Sequence, residues 1–195
     1  MSTEKSITKD EIRLLPLGFF TGRTVVVNSK TQLETAIEEL SRETILGFDT
    51  ETKPNFVKGK YNRVALLQLA SQSTAYLFPL AHYGMSEELK AILESSSILK
   101  VGVAIGQDMK ELKRDYQVEP RNHIDLNRHA KVRGYRNVGI RNLAGLMMGI
   151  RISKSKQMSN WENNPLDQGQ VRYAATDAWV CLEIYQAFNK LDSSD

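Results

Sequence analysis

Residues 44–51 read Thr-Ile-Leu-Gly-Phe-Asp-Thr-Glu, an apolar run that ends on two acids, Asp49 and Glu51. Its β-branched and aromatic content predicts a strand over Thr44 to Asp49. Side chains two apart on a strand point to one face, so the two carboxylates are held side by side. Beside an apolar sheet such a pair repels, which raises a pKa or calls for a cation. Mg²⁺ and Mn²⁺, which prefer oxygen ligands, suit it. An exposed strand end that binds nothing has the same spacing, so other segments must decide.

Working outward, Thr24 to Val27 is a β-branched run. Ser29 and Gln32 then form a capping-box pattern, with Leu33, Ala36, Ile37 and Leu40 following at helical spacing. Downstream, Val64 to Ala70 and Thr74 to Leu80 read as strands, with the polar stretch Lys53 to Asn62 as a connection, so residues 44–80 form a meander. Ser86 to Leu93 predicts a short helix, Ile98 to Val103 a strand, and Gln107 to Tyr116 a helix with Ile105, Met109 and Leu112 in phase. Arg141 to Met148 and Gln168 to Leu191 are amphipathic helices, the latter through Val171, Ala174, Ala175, Ala178, Leu182 and Tyr185. The class is α/β with a helical second half. At 195 residues, 41% of them hydrophobic, one core suffices. The expected division is an N-terminal arm, 1–23, loosely held, and a single domain, 24–192.

Two further acids sit where helices are expected. Tyr173-Ala174-Ala175-Thr176-Asp177 places Tyr173 and Asp177 one turn apart on one helical face, with small residues between them that let another element approach. Asp has low propensity in mid-helix, so something beyond local structure favours Asp177; a half-buried tyrosine beside a solvated acid has the same pattern. Asp108 follows Val101 to Gly106 at a helix start, where capping alone accounts for an acid. Asp125 is a rival carboxylate whose spacing suits a cap or turn.

Composition narrows the setting. The single cysteine, Cys181, lies in an apolar helical run and has no partner for an intramolecular disulfide, which fits a reducing, cytoplasmic location. Residues 1–13 lack the basic start and long apolar run of a secretory signal. Leu14 to Phe20, broken by Pro16 and Gly18, is far below the ~20 residues that cross a bilayer, so a soluble protein with no membrane partner is expected. Nine bases against one acid between Arg121 and Lys156 give that stretch +8 and leave −5 for the rest of a +3 chain. Segregation of this kind suits a polyanion held along one side while acids elsewhere do chemistry. An ordinary solvated basic face is the other reading.

Taken in order, these segments resemble the DEDD superfamily of 3′-to-5′ exonucleases, in the subgroup whose last motif is Tyr-x-x-x-Asp. The likeness runs from Val25 to Phe188 through Asp49-x-Glu51, Val64 to Leu69, Lys100-Val101-Gly102 before Asp108, Gly139 to Leu143, Lys154-Ser155-Lys156, Ser159-Asn160-Trp161, Pro165-Leu166 and Tyr173 to Asp177. Within the superfamily it is most similar to the Werner exonuclease domain, then to ribonuclease D. Many proofreading domains carry Asn where this chain has Ala104.

The resemblance implies a ribonuclease H-like fold, a mixed sheet of about five strands flanked by helices. It also implies two divalent ions, Mg²⁺ or Mn²⁺, held by Asp49, Glu51, Asp108 and Asp177. These would stabilise both the attacking water and the leaving 3′-oxygen at a nucleic-acid 3′ end. Tyr173, whose phenol has an ordinary pKa of ~10, would orient that water. Thr52 and Asn55 are nominated to face the terminal nucleotide, and Lys154, Lys156 and Arg172 to contact phosphates. Trp161 reads as a stacking platform or, preferred because Pro165-Leu166 follows, as a buried anchor. DNA is the favoured substrate. The alternatives are ribonuclease D-like RNA trimming, a catalytically silent nucleic-acid-binding module, and a small-molecule phosphohydrolase. The basic segment argues against the last of these.

Overall fold

The computed structural model describes residues 5–55, 57 and 61–193; parts of the Lys53 to Asn62 connection, of the extreme N-terminus and of the polar tail lie outside the described residues. In chain order the elements are α1 (Lys9–Leu14), β1 (Arg23–Val26), α2 (Lys30–Leu40), β2 (Ile45–Thr52), β3 (Val64–Ala70), β4 (Thr74–Phe78), α3 (Leu80–Tyr83), α4 (Glu87–Glu94), β5 (Leu99–Gly102), α5 (Ile105–Tyr116), β6 (His123–Asp125), α6 (Leu126–Val132), α7 (Ile140–Met148) and α8 (Gln168–Asp192).

The sheet has six strands in the order β1-β4-β3-β2-β5-β6, one more than the five expected. The additional strand, β6, is three residues long with Ile124 as its one aliphatic side chain, too short for a local alternation signal. The meander β2-β3-β4 is antiparallel, while β1, β5 and β6 run parallel to their neighbours. Every residue of β3 is buried, because helices cover both faces of the sheet.

On one face Leu46, Phe48, Leu67 and Leu69 pack with Ala36 and Leu40 of α2, Leu89 and Leu93 of α4, and Ile105, Met109 and Leu112 of α5. The opposite face is closed chiefly by α8, a 25-residue helix. A capping box starts α8: Asp167 accepts from the Gln170 N–H at 2.9 Å and the Gln170 side chain accepts from the Asp167 N–H at 3.1 Å. The expected box at α2 is only half formed. Ser29 caps Gln32, but the Gln32 side chain accepts from the Asn28 N–H.

Of the segment before β1, the described residues 5–22 are packed rather than loosely held. Thr8 and Glu11 form a capping box at α1, and Ile12 is buried. Backbone bonds then tie the strip to the body: Gly18 N–H to Arg151 O, Arg151 N–H to Pro16 O, and Phe20 N–H to the Thr176 hydroxyl. Among the described residues no helix is long and apolar enough to cross a membrane. Cys181 is buried on α8 as its apolar run implied.

Candidate active site

Gly47, Asp49 and Glu51 alternate onto the face of β2 that α8 covers. The helix backbone lies so close that a Cβ at Gly47 would meet the Ala178 carbonyl oxygen at 2.0 Å. Glycine at 47 and alanine at 178 therefore bring the α8 backbone onto the central strand. The neighbouring Asp177, 6% exposed, is thereby set against the β2 acids. Carboxylate oxygens of Asp49, Glu51 and Asp177 lie within 4.8 Å of one another.

Asp108 reaches the cluster from α5 but is not part of that tight group. It is held from the side: the Thr50 hydroxyl donates to Asp108 Oδ1 at 2.6 Å. Thr50 was not singled out in the sequence, since its role depends on α5 lying next to the end of β2. The turn before α5 is set by Ala104, in the left-handed region at φ 59°, whose N–H donates to Asp125 Oδ1. Asp125 also caps α6 through the Asn127 N–H, so it serves the cap role expected of it.

Burial raises all four acids above the usual carboxylate range. Asp49 is pushed well up by burial and then by Glu51, Asp177 and Asp108. Glu51 rises to about 9 through burial and the charges of Asp177 and Asp108. Burial takes Asp177 to about 7 against the opposing hydrogen bond of Tyr173, and Asp108 to about 6 against that of Thr50. Four converging carboxylates, oxygen-only and mutually repelling, fit hard divalent cations as counter-charge.

Tyr173 lies one turn before Asp177, its phenol hydrogen-bonded to that carboxylate. Burial and the neighbouring acids hold its pKa above the ordinary phenol value. Its ring packs on Trp161 with centroids 5.8 Å apart. Trp161 is 1% exposed, among Ala65, Leu66, Leu77 and Ala174, and so is the buried anchor rather than an open platform.

None of the nominated substrate contacts belongs to the acidic cluster. Thr52 ends β2 just after an irregularity in the β2–β3 register, and Asn55 is exposed, accepting from the Val57 N–H. Lys154 is exposed, whereas Lys156 pairs with Asp167 at 2.8 Å at the start of α8. Arg172 lies over the Phe19 ring, 5.0 Å from its centroid. With Leu17, Phe19, Ser153 and Ser155 it lines a cavity of about 180 Å³ that Tyr173 and Asp177 also border. The basic segment is not one free stripe. Arg133 pairs with Asp192, and the Arg151 side chain donates to the Leu15 carbonyl.

Comparison with known proteins bears on what this centre does. A family model described as 3′-5′ exonuclease matches residues 24–191. The chain is 34% identical to the mouse bifunctional 3′-5′ exonuclease/ATP-dependent helicase WRN across 96% of its own length, and spans 14% of that protein. Ribonuclease D of Gluconacetobacter diazotrophicus is 28% identical over 83% of the chain and 41% of the relative. Among solved structures, the Aedes aegypti Nibbler EXO domain superposes with a TM-score of 0.80 at 26% identity, covering 91% of this chain and 93% of that one. Escherichia coli RNase D shares the ribonuclease H-like fold, with a TM-score of 0.76 over 88% of this chain and 46% of that one. The chain thus spans well under half of the curated relatives named. The family match nevertheless takes in residues of all six strands and all but the last residue of α8, and on it the chain belongs to the 3′-5′ exonuclease family.

Proposed function

We propose that the chain hydrolyses phosphodiester bonds one nucleotide at a time from the 3′ end of a nucleic acid, with DNA the preferred substrate. The observation that carries this reading is the trio Asp49, Glu51 and Asp177, with ligand oxygens within 4.8 Å, in a chain of the 3′-5′ exonuclease family. These three with Asp108 are the side chains to hold two divalent cations, Mg²⁺ or Mn²⁺. Such ions, when bound, supply positive charge to the attacking and leaving oxygens of an in-line displacement.

The chain's own groups do the rest. Tyr173, its phenol protonated at neutral pH, orients the attacking water by hydrogen bonding and does not act as a base. Thr52 and Asn55, just beyond the β2 acids, receive the terminal nucleotide. Arg172, Lys154 and Lys156 contact phosphates, Lys156 only by sharing or releasing Asp167. The domain doing this work is residues 24–192, with 5–23 packed against it.

DNA is favoured over RNA because the likeness to the WRN protein is higher in identity and wider in coverage than that to ribonuclease D. RNA trimming is the second reading, supported by that same ribonuclease D likeness. The test is a 5′-labelled strand with a recessed 3′ end, as DNA and as RNA of the same sequence, incubated with Mg²⁺ or Mn²⁺. A single-nucleotide ladder on DNA is expected, reduced at least 100-fold in Asp108→Ala. Faster shortening of RNA would replace the DNA preference. Binding with no metal-dependent product on either strand would leave a silent binding module.

A further inference from the structure

Gln68, in the middle of β3, is fully buried, and among the described residues neither its Oε1 nor its Nε2 has a hydrogen-bond partner. The register sets it directly across from Asp49 on β2 and from Leu77 on β4. Cross-strand partners share a face with Cβ atoms about 4.5–5.5 Å apart, so the carboxamide and the Asp49 carboxylate both stand beneath α8. Leu66 and Ala70 flank Gln68 on the strand, and Ala174, Ala175 and Ala178 of α8 close the same layer.

A buried amide left without a partner costs about 1–3 kcal/mol, and leucine or methionine would fill this place without that cost. The side chain that the register sets directly across from it on β2 is that of Asp49. We propose that Gln68 is the positioning residue for Asp49: its Nε2, without a partner in the cation-free protein, donates through one buried water to an Asp49 carboxylate oxygen when a cation is bound, and holds that carboxylate as a ligand. A neutral donor suits the task. It orients the acid without supplying the positive charge that the cation must supply, as a lysine or arginine here would. Partners behind a metal ligand typically change affinity 10- to 100-fold when removed. This inference rests on the reading of Asp49 as a cation ligand.

Two variants of similar volume, Gln68→Leu and Gln68→Met, test it through two readouts besides activity. In EDTA, thermal unfolding should show both variants as stable as the wild type or more so, because an unpartnered amide has gone. Titration with Mn²⁺, followed by loss of the free-ion paramagnetic resonance signal, should show Kd weakened 10- to 100-fold. Exonuclease activity at low Mn²⁺ should fall alongside and recover largely at saturating Mn²⁺. Wild-type Mn²⁺ affinity in both variants overturns the proposal. So does weakened affinity accompanied by an equal loss of stability in EDTA, since Gln68 is then a structural residue. Failure of the wild-type protein itself to bind Mn²⁺ overturns the metal reading beneath it, an outcome separate from either of these.

Discussion

At the residue scale, the site depends as much on an absent side chain as on the acids. Gly47 shares a face with Asp49 and Glu51, and its missing Cβ is the space the Ala178 carbonyl occupies. Alanine there must push α8 away from β2. Overpacking of this kind costs about 1–3 kcal/mol. The displacement acts first on Asp177, the residue next to the contact, so Gly47→Ala should lose both stability, read from the urea midpoint, and Mn²⁺ affinity, read by titration. A stability loss with unchanged affinity would mean that α8 tilts without moving Asp177. The pairs Asp49 with Glu51 and Tyr173 with Asp177 were legible in the sequence because their spacings, two on a strand and four on a helix, are local, whereas Asp108 entered only through the family resemblance. Gly47 was quoted there without a role, and Thr50 and Gln68 were not read as site residues at all. Their parts depend on which strand or helix lies beside them, and no short window of sequence carries that information.

At the scale of elements, the periodic helices and the β-branched strands were read to within a few residues, while α1, α3, β6 and α6 were missed. The helix α1 buries only Ile12, and α6 only Leu126 and Ala130, too little apolar repetition to stand out from a loop. One element end has a device that local patterning hides. Lys100 on β5, fully buried, donates from Nζ to the carbonyls of Ile92, Ser95 and Ile98, closing the C-terminus of α4. Burial lowers its pKa to about 8, while the carbonyls at the helix end favour the cation and restrain that fall. A base whose folded pKa lies below its unfolded value binds fewer protons when folded. Stability therefore rises with pH from about 8 to the ordinary 10.5, and the penalty is fully present below that window. Urea midpoints at pH 7.5 and pH 10 should show the wild type gaining on Lys100→Met as pH rises, by at most about 3 kcal/mol. A gap that does not change with pH would show that the three carbonyls fully offset burial.

At the scale of the whole molecule, the fold concentrates negative charge where β2, α5 and α8 meet, and its stability should depend on what neutralises it. Without cations, burial holds Asp49, Glu51, Asp108 and Asp177 above the usual carboxylate range, and at Asp49 and Glu51 the neighbouring acids add to it. Divalent cations that bind the folded chain and not the unfolded one add about 2.7 kcal/mol at one hundred times Kd. For a chain of this size that corresponds to a rise in Tm of roughly 5–10 °C. Thermal unfolding in EDTA and then in excess Mn²⁺, with KCl matching the ionic strength, measures it. Asp177→Asn removes a buried like charge while leaving an oxygen that can accept from Tyr173. Its metal-free Tm should therefore exceed the wild type's, and its Mn²⁺-dependent rise should shrink or vanish together with the 3′-end ladder. That pairing, a gain in stability with a loss of binding, is the signature of acids retained for the cation at the expense of the fold. An Asp177→Asn protein less stable in EDTA, or one that keeps the full Mn²⁺ shift, would instead make Asp177 a structural acid and leave cation binding to Asp49, Glu51 and Asp108.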